Sequence, residues 1–162
     1  MHISVLTTGG TIDKIYFDAL SEFQVGDPQI AEVLKHIHAG FTYDVRVVLR
    51  KDSLEFSEGD RKTIRMAAEE AASEHILVTH GTDTMCETGR VLQGIDGKTI
   101  VLTGALTPAR FRETDAVFNI GFALACVQIL PPGVYIAMNG RIFDPATTRK
   151  NREKNLFEAI TD

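Results

Sequence analysis

Only two cysteines occur among the 162 residues, too few for a disulfide framework, and Cys86 and Cys126 show no metal-ligand spacing. They read as reduced, buried thiols of the kind a cytosolic protein keeps. No block of lysine and arginine is long enough to track a phosphate backbone, and the formal net charge is -5, which argues against nucleic-acid binding. The longest apolar stretch, residues 116–130, is interrupted by Asn119, Gly121 and Gln128. It falls short of the roughly 18 to 20 apolar residues a membrane span needs and reads as a buried helix. Low-complexity tracts and linker composition are also missing, so one domain over residues 1–162 is expected. The first strand pattern begins within two residues of Met1, leaving no room for the basic and apolar regions of a secretory signal, and a cytoplasmic protein is expected.

What is present is an alternation. Apolar runs rich in β-branched residues recur at 3–7, 45–49, 76–79, 99–103 and 134–138, with helical spacing between them. Short runs that are apolar throughout suit parallel strands covered on both faces, and each right-handed crossover needs a helix to return the chain. We expect a three-layer α/β sandwich with a mainly parallel, flavodoxin-like sheet of about five core strands. Asp27 before Pro28 reads as the cap and first residue of one helix, closed by Gly40. Ser57 with Asp60 reads as the capping box of a second. A third helix is expected from about Thr84 to Gln93, and a long one ends at Pro131-Pro132. That last helix is apolar almost all round, so one face calls for cover by a second subunit. Asn139-Gly140 marks a hairpin between 134–138 and 141–143. The stretch from Asp13 to Gly26 shows no clear periodicity and reads as a lid loop beside the first turn.

Two glycine turns carry the chemistry. Thr7-Thr8-Gly9-Gly10-Thr11 closes the first apolar run, and His80-Gly81-Thr82-Asp83-Thr84 closes the third. In open parallel sheets ligands bind beyond the carboxyl ends of the strands, where both turns fall. Glycine lets the backbone approach a ligand and frees N–H groups for an anion or an oxyanion. Neither the dinucleotide fingerprint nor the lysine-bearing phosphate loop is present. A helix cap would account for one hydroxyl or one carboxylate in the second turn, but not for two hydroxyls and a carboxylate. A threonine hydroxyl needs a base to become a nucleophile, and neither Thr11 nor Thr82 is N-terminal, so a side chain must supply it. Lys150, in Thr147-Thr148-Arg149-Lys150 after the hairpin, is a candidate, although the charges of Arg149, Arg152 and Lys154 give that segment the look of a solvated helix start.

Thr8-Gly9-Gly10-Thr11-Ile12 and His80-Gly81-Thr82-Asp83-Thr84-Met85 resemble, in order and spacing, the paired signatures of bacterial-type L-asparaginases. Thr103-Gly104-Ala105, Asp115 with Asn119, and a lysine six residues beyond Asp144 continue the likeness. It covers nearly the whole chain but only the N-terminal domain of common family members, as in short single-domain asparaginases. The resemblance implies hydrolysis of L-asparagine to L-aspartate and ammonia through an acyl-enzyme, without metal or cofactor. Thr11 would be the nucleophile, assisted by Tyr16 on the lid. Thr82, Asp83 and Lys150 would handle the proton, with Asp83 also holding the substrate ammonium. Ser53 and the Gly81 backbone would receive the α-carboxylate, and Ala105 would contact the leaving amide. A homodimer or higher homo-oligomer is implied, with neither nucleic acid nor membrane as partner. Pro145 and Ala146 stand where the family has glycine and arginine, Leu54 stands where many relatives have a polar residue, and a catalytic domain working without the family's C-terminal domain and its acidic amine ligand is expected. A glutaminase or other small-amide hydrolase, and a non-catalytic amino-acid-binding module, are the alternatives, since one methylene is worth only about 1–3 kcal/mol in a pocket.

Overall fold

The structure is a computed structural model that describes residues 1–17 and 22–160, the side chains of 16, 17 and 22 excepted. Strand β1 (His2–Thr7) is followed by a short hairpin of β2 (Lys14–Phe17) and β3 (Glu22–Val25). Helix α1 (Gln29–His36), β4 (Thr42–Val47), α2 (Glu58–Glu70), β5 (His75–Thr79), α3 (Met85–Leu92), β6 (Thr99–Thr103), α4 (Ala116–Ile129) and β7 (Gly133–Met138) then alternate. Strands β8 (Arg141–Phe143), β9 (Thr148–Asn151) and β10 (Leu156–Ala159) end the described chain.

The main sheet runs β4-β1-β5-β6-β7-β8, parallel throughout except for the antiparallel β8. Counting only the parallel strands, this is the order 2-1-3-4-5, the flavodoxin-like winding expected from the alternation. Successive side chains of a strand face opposite ways, so one sheet feeds two cores. On one side Val5, Leu77, Val101 and Ala137 pack beneath Ile30 and Leu34 of α1 and Ile120, Ala123 and Val127 of α4. On the other, Ile76, Val78, Ile100 and Leu102 meet Ile64 and Ala68 of α2 and Met85 and Leu92 of α3. Full burial of each such aliphatic side chain stabilises the domain by about 1.5–3 kcal/mol.

Several local expectations hold for the reasons given. The Ser57–Asp60 capping box is complete, with the Ser57 amide donating to Asp60 at 2.9 Å and the Asp60 amide donating to Ser57 Oγ at 3.1 Å. Asn139 and Gly140 adopt φ of 52° and 75°, both positive as a tight two-residue hairpin turn requires. Helix α4 ends before Pro131, and both cysteines are buried free thiols.

Other expectations need correction. Asp27 does not cap α1; the amide of Gln29 donates instead to Asp13 Oδ1 at 2.9 Å, while Asp27 pairs with Arg50. The second core strand lies earlier than 45–49 and is an edge strand with alternating exposure. The amides of Val48 and Leu49 bend away to share the Thr7 carbonyl. Within the expected lid loop, 14–17 and 22–25 form an antiparallel hairpin, while 18–21 lie outside the described residues. The segment around Lys150 is not a helix start but β9, paired antiparallel with β10.

Candidate functional site

The two glycine turns meet at the switch point of the sheet, where the chain leaves β1 and β5 to opposite sides. Thr7 lies opposite Thr79 in register, and Thr8 extends the ladder by donating both its amide and its hydroxyl to the Thr79 carbonyl, at 3.1 and 2.9 Å. Gly9 and Gly10 both take φ of 93°, a region that favours glycine. A methyl group placed on Gly10 would sit 2.5 Å from the Cα and N of Gly81, so the turns touch backbone to backbone. A tight turn over Thr11–Asp13 follows the first strand and another over Thr82–Thr84 follows the second.

A third turn, Ser53–Glu55, closes on the same point. A methyl on Gly81 would meet Ser53 Oγ at 2.5 Å, and Thr84 Oγ1 donates to the Ser53 carbonyl at 2.8 Å. Ser53 is only 1% exposed, and its hydroxyl is buried without a hydrogen-bond partner among the described residues. An unsatisfied buried hydroxyl costs about 1–3 kcal/mol, a cost that a ligand hydrogen bond offsets. Gly104 packs as tightly against the carbonyl of His80, which seats the buried Ala105 beside the second turn. Neither Thr82 nor Asp83 caps α3, and both side chains are left for other work.

His80, quoted in the motif but given no role from sequence, supports the site from beneath. A carbonyl can only accept, so Nδ1 donates to the Gly81 carbonyl at 2.7 Å, and Nε2 accepts from the Thr88 hydroxyl at 2.7 Å. Burial pushes its pKa down to about 4, and the Arg61 charge acts in the same direction against the Gly81 bond. The neutral ring is therefore a fixed brace, wedged edge-on against Phe56 at 5.0 Å. Asn119 braces the other side: its amide donates to the Gly104 carbonyl at 3.0 Å and to Asp115 at 2.9 Å, and its oxygen accepts from the Asn139 amide at 3.0 Å. Asp115 in turn accepts from the amides of Leu106 and Thr107.

Of the residues predicted from sequence, Thr11, Ser53, Gly81, Thr82, Asp83 and Ala105 lie on turns that meet through the close approaches of Gly10 to Gly81, Gly81 to Ser53 and Gly104 to His80. Lys150 approaches on β9, which Arg90 ties to α3 by donating to the Thr148 carbonyl at 2.9 Å. Burial lowers its pKa below the ordinary 10.5, with the charges of Asp83, Asp115 and Cys86 opposing the shift. Its ammonium does not hydrogen-bond Asp83; it donates to Asn155 Oδ1 at 2.9 Å and lies over the Phe157 ring. Tyr16 belongs to β2, and its side chain lies outside the described residues. Arg152, two residues beyond Lys150, places Nε 3.5 Å from Asp83 Oδ1. Sequence offered no signal for that pair. Among the described residues no three His, Cys, Asp or Glu side chains gather as a metal cluster.

Fold and site together define a doubly wound α/β protein with hydroxyls, a carboxylate and a partly buried lysine gathered at its switch point. The chain belongs to the asparaginase family, whose N-terminal model matches residues 2–161. It is 33% identical to an L-asparaginase of Thermococcus kodakarensis over 88% of this chain and 45% of that protein. It is 28% identical to an L-asparaginase of Bacillus licheniformis over 95% of this chain and 51% of that one. The solved thermostable L-asparaginase from T. kodakarensis superposes with a TM-score of 0.84 at 27% identity, covering 99% of this chain and 51% of its own. The chain thus spans about half the length of the relatives it matches. Among the described residues, no helix is long and apolar enough to cross a membrane.

Proposed function

We propose that this chain is an amidohydrolase that converts L-asparagine and water to L-aspartate and ammonia. The observation that carries the reading is the backbone contact of Gly10 with Gly81, which brings the Thr11 and Thr82 turns together around the unpartnered Ser53 hydroxyl. Thr11 Oγ attacks the side-chain carbonyl carbon and loses its proton, with Tyr16 assisting, while the leaving nitrogen gains one and departs as ammonia. Water then adds to the threonyl ester, releases aspartate and restores the hydroxyl. Thr82, Asp83 and Lys150 carry the proton for the second half. The lysine, with its pKa lowered by burial, must exchange its bond to Asn155 for one to Asp83 to complete the relay. Ser53 and the Gly81 backbone receive the α-carboxylate, Asp83 the ammonium group, and Ala105 the leaving amide, so the two charged ends of a free amino acid meet opposite chemistry.

One catalytic domain working in the cytoplasm as a homodimer or larger homo-oligomer fits this reading. Phe118 and Ile129 on the outer face of α4 are 61% and 77% exposed, an apolar face suited to a second copy. Thr11→Ala tests the assignment: ammonia release from L-asparagine is expected to fall to background, and release at the wild-type rate removes Thr11 as nucleophile.

A further inference from the structure

The turn of the β9–β10 hairpin, residues 152–155, is exposed, and one of its charges, Arg152, reaches the site. Within the hairpin Arg149 pairs with Glu158 at 2.8 Å, Asn151 donates to Glu158, and Lys150 donates to Asn155. Arg152 reaches across to the Thr82–Thr84 turn and sets its guanidinium 3.5 Å from Asp83. Among the described residues it is the cation that forms an ion pair with that carboxylate. The pair is open, with the arginine 61% and the aspartate 36% exposed, so a ligand can reach and displace it.

The consequence concerns the group that would meet Asp83, and it rests on the amide-hydrolase reading above. A substrate with a free α-ammonium has to compete with a guanidinium already in place and then accommodate it nearby. A substrate whose α-nitrogen is acylated carries no charge there, leaves the Arg152–Asp83 pair intact, and offers a carbonyl oxygen that can accept from the guanidinium. We propose that Arg152 is a specificity-determining residue that turns the amine end of this site toward side-chain amides lacking a free α-ammonium, namely N-acylated or peptide-linked asparagine.

The test compares kcat/KM for L-asparagine and N-acetyl-L-asparagine in the wild type, Arg152→Gln and Arg152→Lys. Removing an exposed ion pair of this kind is expected to raise kcat/KM for L-asparagine about three- to fivefold and lower it for the acylated amide by a similar factor, chiefly through KM. Arg152→Lys, which keeps the charge, is expected to retain most of the wild-type ratio. A ratio in Arg152→Gln within twofold of wild type overturns the proposal. Calorimetric binding of L-aspartate and N-acetyl-L-aspartate reads the same preference without turnover. A shifted binding ratio with no ammonia release sustains the role of Arg152 and removes the hydrolase reading. Ammonia release with unshifted ratios does the reverse, and binding of neither ligand overturns both.

Discussion

Asp13 ends the turn that Thr11 opens and is 1% exposed, yet it carries a carboxyl group. Its oxygen accepts from the Gln29 amide at the start of α1, and its carbonyl accepts from Gly26 at the foot of the β2–β3 hairpin. Burial pushes its pKa up from 3.8 to about 6, against the Gln29 hydrogen bond and the Arg50 charge. The folded state therefore prefers the neutral carboxyl. That preference is fully present below the unfolded value of 3.8, erodes as pH rises through the window, and is gone above about 6. Since one pKa unit corresponds to about 1.4 kcal/mol, the whole loss comes to about 3 kcal/mol. Asp13→Asn keeps an oxygen for the Gln29 amide and removes the ionisation. The variant is expected to match or fall slightly below wild type at about pH 4 and to exceed it by up to about 3 kcal/mol at about pH 8. Urea titrations read this as a midpoint difference of about 1–2 M opening across the window, for a slope of about 2 kcal/mol/M. Wild-type and variant stabilities that run parallel from acid to mild alkali would refute the reasoning, because they would mean that Asp13 ionises as easily folded as unfolded.

Two further outcomes test the site itself. Lys150→Met is expected to lower kcat for asparagine by about two to four orders of magnitude with KM little changed, and an unchanged kcat removes the lysine from the proton relay. Gly10→Ala drives a methyl into the Gly81 backbone at 2.5 Å with φ of 93°, and is expected to cost about 2–5 kcal/mol together with activity. A thermally unchanged, active Gly10→Ala protein would show that the turns do not touch as described.

How far the architecture was legible depended on how local its causes are. The core strands announced themselves because burial on both faces demands continuous apolar runs, and the edge strand β4 was misplaced because its outer residues need not be apolar. The box at Ser57 lies within four residues and was readable, whereas the oxygen that serves Gln29 belongs to Asp13, sixteen residues earlier. The β2–β3 hairpin lacks the Asn-Gly signature that marked β7–β8, and β9 hid among charges that suit a solvated helix as well as an exposed hairpin. At the site, the glycine turns stood out because their backbone demands are written in residue type. Thr84 holding Ser53 and Arg152 meeting Asp83 depend on approaches between distant turns, for which no spacing rule exists.

The pairing of β1 with β5 also governs when the site can come into being. Thr8 and Thr79 are seventy-one residues apart, and no single strand-helix-strand unit holds both turns. A partly folded chain that has formed its helices, or even β1 beside β4, owns no fragment of the site. Loop closure of that length is among the slower steps available to a small domain, so function should return after secondary structure during refolding. Recovery of ammonia release trailing the far-ultraviolet signal is the kinetic signature of a site that only the finished sheet can build.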